Sequence, residues 1–369
     1  MRLTSFKHRP PYRILLICTR RIGDVLLATP VARSLKRAWP QAELHYLVFK
    51  GTEGVLEGNP DIDQIIAVPH RTDWSGKFAQ IRQLWQRYDL AVPVIASDRA
   101  RLYGWVGAKT SVGFVGDWET GKKLLLDHWL VLDDRDAHVV STGLRLTELL
   151  GIEPCNQVVP PAITHKQSLA LFNRLDFLNR HGYVVLHPCP KYAYKMWRKD
   201  GWVELAGWLQ NQGLVVVLTG GPGEDERSYA DEIAEHVEVV NLVGKLSMAE
   251  TAAVISRARL YVGPDTATTH IAAAVGVLTI ALFGPSNPIK WGPWPRDWIG
   301  LESPWPWRGG GRRGNVQMIQ GSGDCVPCLA EGCDRHIGSD SLCLQRISSD
   351  ALIAVAREML AEPQPIPIG

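Results

Sequence analysis

No apolar run in this sequence approaches the roughly 18 residues that a helix needs to span a bilayer. Residues 1–13, MRLTSFKHRPPYR, contain no apolar core of the kind found in secretory signal peptides. A strong charge of one sign is also missing, because 40 basic residues against 38 acidic ones leave a net charge of +2. Such a chain has no general attraction to nucleic acid. These absences favour a cytoplasmic protein without a nucleic-acid partner.

Cysteine is scarce, with 7 among 369 residues, and in a cytoplasmic chain we expect mostly reduced thiols. One cluster in residues 325–343 contains enough ligands for a tetrahedral zinc site, although its spacing is irregular for a zinc finger. Its members are Cys325, Cys328, Cys333, His336 and Cys343. We favour reduced or disulfide-linked cysteines that clamp a loop, with structural zinc as the alternative. We predict no catalytic metal and no cofactor.

What the sequence has in quantity is alternation between strand-like and helix-like patterns. RILLIC, residues 13–18, is continuously apolar, as in a strand buried on both faces of a parallel sheet. Helical patterns, such as residues 77–88 and 138–152, separate it from later strands. The other predicted strands are residues 42–48, 64–69, 90–94, 110–116, 183–188, 214–221, 239–244, 260–265 and 278–285.

A Pro-containing stretch at residues 153–167 divides this alternation into two halves. Alternating strands and helices predict the α/β class, with a doubly wound, Rossmann-like parallel sheet in each half. We therefore expect an N-terminal domain at residues 1–160, a second domain at 161–345, and a C-terminal helix and tail at 346–369. The last helix should begin near Ser349. Two such domains facing one another would leave an interdomain cleft.

Asp24 follows Gly23 where the first strand passes into the first helix, whose apolar residues recur at helical spacing up to residue 38. One interpretation is that its carboxylate stabilises the helix N-terminus. The other is that it lines the ligand-binding edge at the carboxyl end of the strand. Arg20 and Arg21 precede it and are candidates for contacting an anionic substrate.

Three loops of the second half also follow predicted strands. The first brings Lys191 and Lys195, and lysine serves as a point charge for phosphate. The second, TGGPGEDERSYA, places Glu224 after a glycine turn, where it would either bind a ribose hydroxyl or cap a helix. The third, VGPDTATTHIAAAVG, combines a helix N-terminus with hydroxyls and an imidazole, as a diphosphate site requires. Its side chains for that site are Thr266, Thr268, Thr269 and His270, while Asp265 would organise the loop.

Three segments together resemble the bacterial glycosyltransferase family 9, the ADP-heptose:lipopolysaccharide heptosyltransferases. They are RIGDVLLATPVARSLKRAWP at residues 21–40, LHPCPKYAYKMW at 186–197 and GPDTATTHIAAAVGVLTIALFGPSNP at 263–288. The resemblance implies the GT-B architecture and transfer of heptose with inversion, without a catalytic metal. It implies that Asp24 is the general base, that Lys195 contacts the donor phosphates and that Glu224 holds ribose.

The resemblance also assigns Asp265, Thr266 and His270 to the donor loop. Ala267 departs from the glycine of many members, and its methyl group would alter the approach of the backbone to phosphate. The full predicted donor-binding set is Lys191, Lys195, Glu224, Leu246, Asp265, Thr266, Ala267 and His270. Arg20 and Arg21 are the predicted acceptor-binding residues.

The implied partners are ADP-heptose as donor and the lipid A-linked core of lipopolysaccharide as acceptor. We therefore expect a cytoplasmic enzyme with peripheral contact at the inner membrane surface. Two alternatives keep the fold: a sugar-nucleotide epimerase, for which we see no additional acid/base pair, and a non-catalytic sugar-nucleotide or glycan-binding module. Release of ADP from ADP-heptose distinguishes them, since only a transferase makes that release depend on an acceptor.

Overall fold

Two mainly parallel β-sheets organise this computed structural model, which describes residues 6, 9–71, 73–116, 120–132, 136–176, 178 and 181–362. The chain divides into a first unit, Met1–Pro160 with Ile299–Ser303, and a second unit, Pro161–Trp298 with Pro304–Gly369. Each unit contains one of the sheets. The predicted α/β class with two doubly wound sheets is therefore confirmed.

Among the described residues, the sheet of the first unit has six strands. They are β1 (Arg13–Cys18), β2 (Glu43–Phe49), β3 (Gln64–Val68), β4 (Tyr88–Pro93), β5 (Ala108–Val115) and β6 (His128–Val131). The accompanying helices are α1 (Ile22–Leu27), α2 (Thr29–Ala38), α3 (Trp74–Leu84), α4 (Asp98–Gly107) and α5 (Val139–Leu149), with 3₁₀ turns at Glu53–Leu56 and Thr120–Leu125. The order is β3-β2-β1-β4-β5-β6, with parallel neighbours throughout. From β1 the chain adds β2 and β3 on one side, and it then adds β4, β5 and β6 on the other side. The carboxyl ends of β1 and β4 therefore form a topological switch point.

The described part of the second unit has a sheet of seven strands. They are β7 (Tyr183–Leu186), β8 (Val215–Leu218), β9 (Val240–Asn241), β10 (Leu260–Pro264), β11 (Thr279–Phe283), β12 (Gly311–Arg313) and β13 (Val316–Gln320). The helices are α6 (His165–Arg174), α7 (Lys199–Asn211), α8 (Glu224–Ala234), α9 (Met248–Ser256), α10 (Ala267–Val275), α11 (Pro288–Trp291), α12 (Leu342–Gln345) and α13 (Ser349–Ala361), with a 3₁₀ turn at Ala193–Lys195. The order is β12-β13-β11-β10-β7-β8-β9, and only β12 is antiparallel to its neighbour. The switch point lies between β7 and β10.

The continuously apolar strands are buried because helices cover both faces of each sheet. In β1, all residues after Arg13 are buried. Leu15 and Ile17 pack in one cluster with Leu84 of α3 and Tyr103 of α4. Burying a Leu or Ile side chain contributes about 1.5–3 kcal/mol, so these contacts fix the helices onto this face of the sheet.

The predicted single helix up to residue 38 is wrong in one respect, because it is divided at Ala28 into α1 and α2. Pro30 lies in the first turn of α2 and has no N–H to donate to a preceding turn. The helix predicted at residues 77–88 ends earlier, at Leu84. Tyr88 instead begins β4 and pairs with Ala108 of β5, so sheet pairing overrides the helical pattern.

The sequence analysis did not predict three strands, β6, β12 and β13, all of which lie at or near the edges of their sheets. The predicted linker was too long, because α6 already begins at His165 with a capping box between Thr164 and Gln167. The last helix begins at Ser349 as predicted, whereas residues 363–369 of the predicted tail lie outside the described residues. None of the described helices has the length and apolarity needed to cross a membrane.

Candidate active site

Asp24 lies beyond the carboxyl end of β1, at the switch point of the first sheet. The helix α1 begins after Arg21, its N-cap, so Asp24 is in the first turn. The Asp24 carboxylate accepts a hydrogen bond from the backbone N–H of Arg21, which satisfies one of the donors left free at a helix start. The carboxylate therefore has the contact expected of a capping residue together with the position expected of a ligand-binding one.

Burial determines the proton affinity of Asp24. Desolvation raises the pKa of its carboxyl group above the ordinary aspartate value, and the charges of Arg20 and Arg21 oppose this rise. A carboxylate with a raised pKa is a better proton acceptor than an exposed one. Arg20 and Arg21 themselves are exposed, and their predicted contact with the acceptor stays a prediction.

In the second unit, an ion pair joins the loops that follow β7 and β10, the two strands at the switch point. Lys195 follows β7 and Asp265 follows β10, and the Lys195 Nζ lies 2.5 Å from the Asp265 carboxylate. The same Nζ also donates to the backbone carbonyl of Asp265 at 3.4 Å. An ammonium group has three N–H donors, so one remains for a ligand. Lys195 is thus held at the edge where open α/β sheets bind ligands.

The carboxylate of Asp265 is buried and is held by Lys195 and Ser286. Burial alone would raise its pKa, but Lys195 and the nearby His270 hold the pKa below the ordinary aspartate value. Ser286, in the loop after β11, donates its hydroxyl to the same carboxylate at 2.6 Å. This arrangement agrees with the interpretation that Asp265 organises the loop.

His270 lies in the second turn of α10, and its side chain is buried. Burial lowers its pKa to about 4, against the attraction of Asp265, so the imidazole is neutral near pH 7. Among the described residues, its Nδ1 atom has no hydrogen-bond partner. Buried polar atoms are normally hydrogen-bonded, so an imidazole in this state beside a helix N-terminus is a candidate ligand contact.

Two threonine hydroxyls at the start of α10 form hydrogen bonds with the backbone of their own loop. Thr266 is the N-cap of α10 and accepts from the backbone N–H of Thr269. Thr269 is completely buried and donates to the carbonyl of Pro264 at 2.5 Å. The expectation of a phosphate contact for Thr269 is therefore wrong, since its hydroxyl is turned into the protein. Ala267 is the first residue of α10 and is half-buried.

The remaining predicted donor residues lie apart from the ion pair. Lys191 is exposed, with its Nζ 5.7 Å from the centre of the Tyr192 ring. Glu224 is an exposed first residue of α8, whereas Glu226 is the side chain that accepts from the Gly221 backbone at 2.6 Å. Leu246 is half-buried between β9 and α9. Their donor-binding roles stay predictions.

The sequence analysis missed the residues that brace the lysine loop. Ser341 donates to the Tyr194 carbonyl at 2.6 Å, and Gln345 donates to the Met196 carbonyl at 3.2 Å. The buried Trp197 indole donates to the carbonyl of Ile347 at 2.9 Å. These contacts join residues about 150 positions apart, and no local sequence pattern indicates them.

The sequence analysis also did not name Ser286 as a partner of Asp265. A signal was available in that case, because Ser286 lies in the segment FGPSNP, which is part of the third family-like segment.

The cysteine cluster contains free thiols, three of them exposed and Cys343 buried. Burial raises the pKa of Cys343 to about 11, and the other three cysteines add to this rise. Within the described ranges, no group of three or more potential ligands is arranged to hold a metal ion. The cluster therefore gives no geometric support to a zinc site.

Comparison with known proteins adds four findings. A family model described as glycosyltransferase family 9 (heptosyltransferase) matches residues 78–304. Lipopolysaccharide heptosyltransferase 3 of Escherichia coli is 30% identical over 75% of this chain and 84% of its own length. A family 9 glycosyltransferase structure from Veillonella parvula has a TM-score of 0.76 at 20% identity, covering 95% of this chain and 98% of the other.

A second structure, the ADP-heptose lipopolysaccharide heptosyltransferase II of E. coli, has a TM-score of 0.72 at 19% identity. That likeness covers 94% of this chain and 98% of the other. Together these structures confirm the predicted GT-B fold class.

Proposed function

Because this chain belongs to glycosyltransferase family 9, we propose that it transfers heptose from ADP-heptose to the inner core of lipopolysaccharide, with inversion at the anomeric carbon. The donor is the one named for the E. coli heptosyltransferase II structure, and the acceptor class is the one named for the E. coli relative. The observation that carries the proposal is the Lys195–Asp265 ion pair beside His270, at the switch point of the second sheet.

The donor diphosphate would lie at the N-terminus of α10. Backbone N–H groups and the helix dipole favour an anion there, and Lys195 adds a fixed positive charge. The neutral imidazole of His270 would donate a hydrogen bond to a phosphate oxygen. Glu224 would hold the ribose, with Lys191, Leu246 and the Thr266–Ala267 backbone as further donor contacts. These groups would stabilise the negative charge that develops on departing ADP.

Asp24 would act as the general base. As the acceptor oxygen forms a bond to the anomeric carbon, its proton passes to the Asp24 carboxylate. The bond from that carbon to the phosphate oxygen breaks, and ADP departs with the electron pair. An aspartate is a weak base, but it suffices when proton transfer is late in an oxocarbenium-like transition state. Arg20 and Arg21 would contact anionic groups of the acceptor.

The acceptor is attached to a lipid, so we also propose that the enzyme acts in the cytoplasm with peripheral contact at the inner membrane surface. This places the reaction where both a water-borne sugar nucleotide and a membrane-borne acceptor are present.

Measurement of free ADP tests the proposed reaction. With ADP-heptose and a deacylated core acceptor, we expect ADP release that requires both substrates, and a product heavier than the acceptor by one heptose unit in mass spectrometry. An epimerase would convert the sugar nucleotide without net ADP release, and a binding module would leave both substrates unchanged. Either result would refute heptose transfer.

Replacement of Lys195 by Ala should weaken ADP-heptose binding and reduce its dependence on salt. Charge–phosphate attraction is screened by ions, so wild-type affinity should fall with ionic strength more steeply than that of the variant. Titration calorimetry over a series of salt concentrations measures both slopes. The control is Lys166→Ala, an exposed lysine on α6, which should keep the wild-type slope. Equal slopes for Lys195→Ala and wild type would contradict the phosphate contact.

His270→Ala should weaken ADP binding by about tenfold to a hundredfold, the usual loss for a hydrogen bond to a charged group. Ala267→Gly should bind ADP as tightly as wild type or more so, while greater freedom of the unfolded chain costs up to about 1 kcal/mol of stability. Calorimetry with ADP and thermal melting decide both results. A buried histidine of the first unit supplies the control, since His138→Ala should leave ADP affinity unchanged. Wild-type binding by His270→Ala, with loss of binding in Ala267→Gly, would place the diphosphate elsewhere.

A further inference from the structure

One layer of the first unit carries large apolar side chains on its outer side. This layer consists of α3, α4 and the 3₁₀ turn Thr120–Leu125, which follow β3, β4 and β5 in turn. Strand connections of this kind are right-handed, and β4, β5 and β6 succeed one another in the same direction, so the three connections lie on one face of the sheet. Leu84 and Tyr103 bind α3 and α4 to that face.

The outward side of this layer and of the neighbouring edge strand β6 carries several large apolar side chains among polar residues. We call this surface the aromatic face, and its apolar members are Trp74, Phe78, Trp105, Leu124 and Trp129. Trp74 is 83% exposed, Phe78 68% and Leu124 84%. Monomeric proteins rarely expose groups of large apolar side chains, and such groups usually mark a site of interaction with another molecule or with a membrane.

The helix α3 presents two of its large apolar residues, Trp74 and Phe78, to solvent. Phe78 follows Trp74 by four residues, so the two share one side of the helix. Leu84 is the one residue of α3 that is buried. Packing on the first unit therefore covers the side of Leu84 and of the half-buried Gln80 and Ile81, whereas Trp74 and Phe78 are exposed.

Basic side chains lie among the aromatic rings. The Lys77 Nζ is 4.5 Å from the centre of the Trp74 ring, and the Lys123 Nζ is 5.6 Å from the centre of the Trp129 ring. Helix α3 also contains Arg82, and none of its residues is acidic. Aromatic rings with long basic side chains are the composition of helices that lie in a membrane interface, where rings enter the headgroup region and cations meet anionic lipids.

We propose that the aromatic face docks on the surface of a bilayer that contains anionic lipids. The choice of a lipid surface rests on the proposed function, since a lipid-linked acceptor must be reached at a membrane. The position of α3 agrees with this, because the helix begins beyond the carboxyl end of β3, the same edge of the sheet that carries Asp24. Docking there presents that edge of the first unit towards membrane-borne substrate.

The charge of the face favours a lipid surface over a second copy of the chain. In a symmetric dimer the same patch would be present on both partners, so the positive charges of Lys77 and Lys123 would be gathered from both copies in one interface. Like charges in an interface cost free energy, whereas an anionic headgroup layer complements them. The lipid surface is therefore the occupant that the residues of this face fit.

Cosedimentation with lipid vesicles tests the proposal on the full-length protein. We expect wild type to bind vesicles made from equal parts of phosphatidylcholine and phosphatidylglycerol, more weakly as salt rises, and to bind phosphatidylcholine vesicles poorly. A variant with Trp74→Ala, Phe78→Ala and Lys77→Glu should lose at least about tenfold in partitioning to the anionic vesicles. The control Leu169→Ala with Lys166→Glu changes an exposed leucine and lysine on α6 and should partition as wild type.

ADP titration and thermal melting establish that both variants are folded. Wild-type partitioning by the aromatic-face variant would overturn the proposal, as would equal loss in the control. Sedimentation equilibrium without lipid supplies the third result: self-association of wild type that the aromatic-face variant abolishes would make a second copy the occupant. Vesicle binding needs no turnover, so failure of heptose transfer and failure of docking are read separately.

Discussion

Asp24→Asn is expected to lower kcat by about 10²–10⁴-fold, the range contributed by a positioned general base. Asparagine keeps the size of the side chain and its carbonyl acceptor for the Arg21 backbone N–H, so the start of α1 should persist. The amide of asparagine, however, cannot take up the proton from the hydroxyl group of the acceptor substrate. Donor affinity should stay at the wild-type value, because the donor groups are in the second unit. Steady-state kinetics and ADP calorimetry on the purified variant measure both quantities.

The matched control is Asp350→Asn, which removes an exposed aspartate from the first turn of α13. Both changes remove a negative charge near a helix N-terminus, so the control reports any loss due to the helix alone. We expect kcat of Asp350→Asn to equal that of wild type. Near-normal turnover by Asp24→Asn would return Asp24 to a purely structural role.

The pH dependence of the same variant set gives a second readout. Because burial raises the pKa of Asp24, the decline of kcat on acidification should begin at a higher pH than for an ordinary aspartate, whose pKa is about 3.9. Arg20 opposes that rise, so Arg20→Ala should move the acidic limb of the kcat profile to higher pH. An unmoved limb would show that the titrating group is not Asp24.

The second large effect is expected at the buried ion pair. Lys195→Ala should reduce the free energy of unfolding by about 3–5 kcal/mol, the usual cost of leaving a buried charge, here the Asp265 carboxylate, without its partner. Asp265→Ala should cost less, because the Lys195 side chain is 19% exposed and its charge stays in contact with water. The double variant should lose much less than the sum, because neither charge is then left alone. Urea unfolding of the four proteins completes the double-mutant cycle.

The surface pair Arg174–Glu250, with a separation of 3.0 Å and side chains 56% and 27% exposed, supplies the control. Its cycle should give a coupling of at most about 1 kcal/mol, since solvent screens exposed pairs. An equally small coupling for Lys195 and Asp265 would contradict the view that this pair fixes the switch-point loops.

The Lys195–Asp265 pair also determines how the free energy of unfolding depends on pH. The pKa of Asp265 is lower in the folded protein than in the unfolded chain, so its contribution is complete above the unfolded value near 3.9. It is lost as pH falls through the lower folded value, because protonation then removes the charge that Lys195 requires. The stability difference between wild type and the double variant should therefore shrink only in that acidic range.

Local patterns were sufficient for the α/β class and the division into two sheets, but not for the strands β6, β12 and β13. Continuous apolar strands such as β1 can be read from sequence because burial on both faces excludes polar residues from all positions. Helix starts with a side-chain signal, such as Thr164 with Gln167, were equally local. Boundaries failed where a distant pairing competed, as at Tyr88, which joins β4 by pairing with Ala108 in spite of a helical pattern.

The sequence by itself determined the α/β class, the two sheets and the candidate residues Asp24, Lys195, Asp265 and His270, since each follows a recognisable strand. Only the tertiary structure decided that Lys195 and Asp265 are partners, 70 residues apart, because β7 and β10 become neighbours through the crossing of the chain. It also decided that the imidazole of His270 is neutral, since burial by surrounding side chains lowers its pKa. The exposure of Trp74 and Phe78 was decided in the same way, because packing determines which side of α3 meets the sheet.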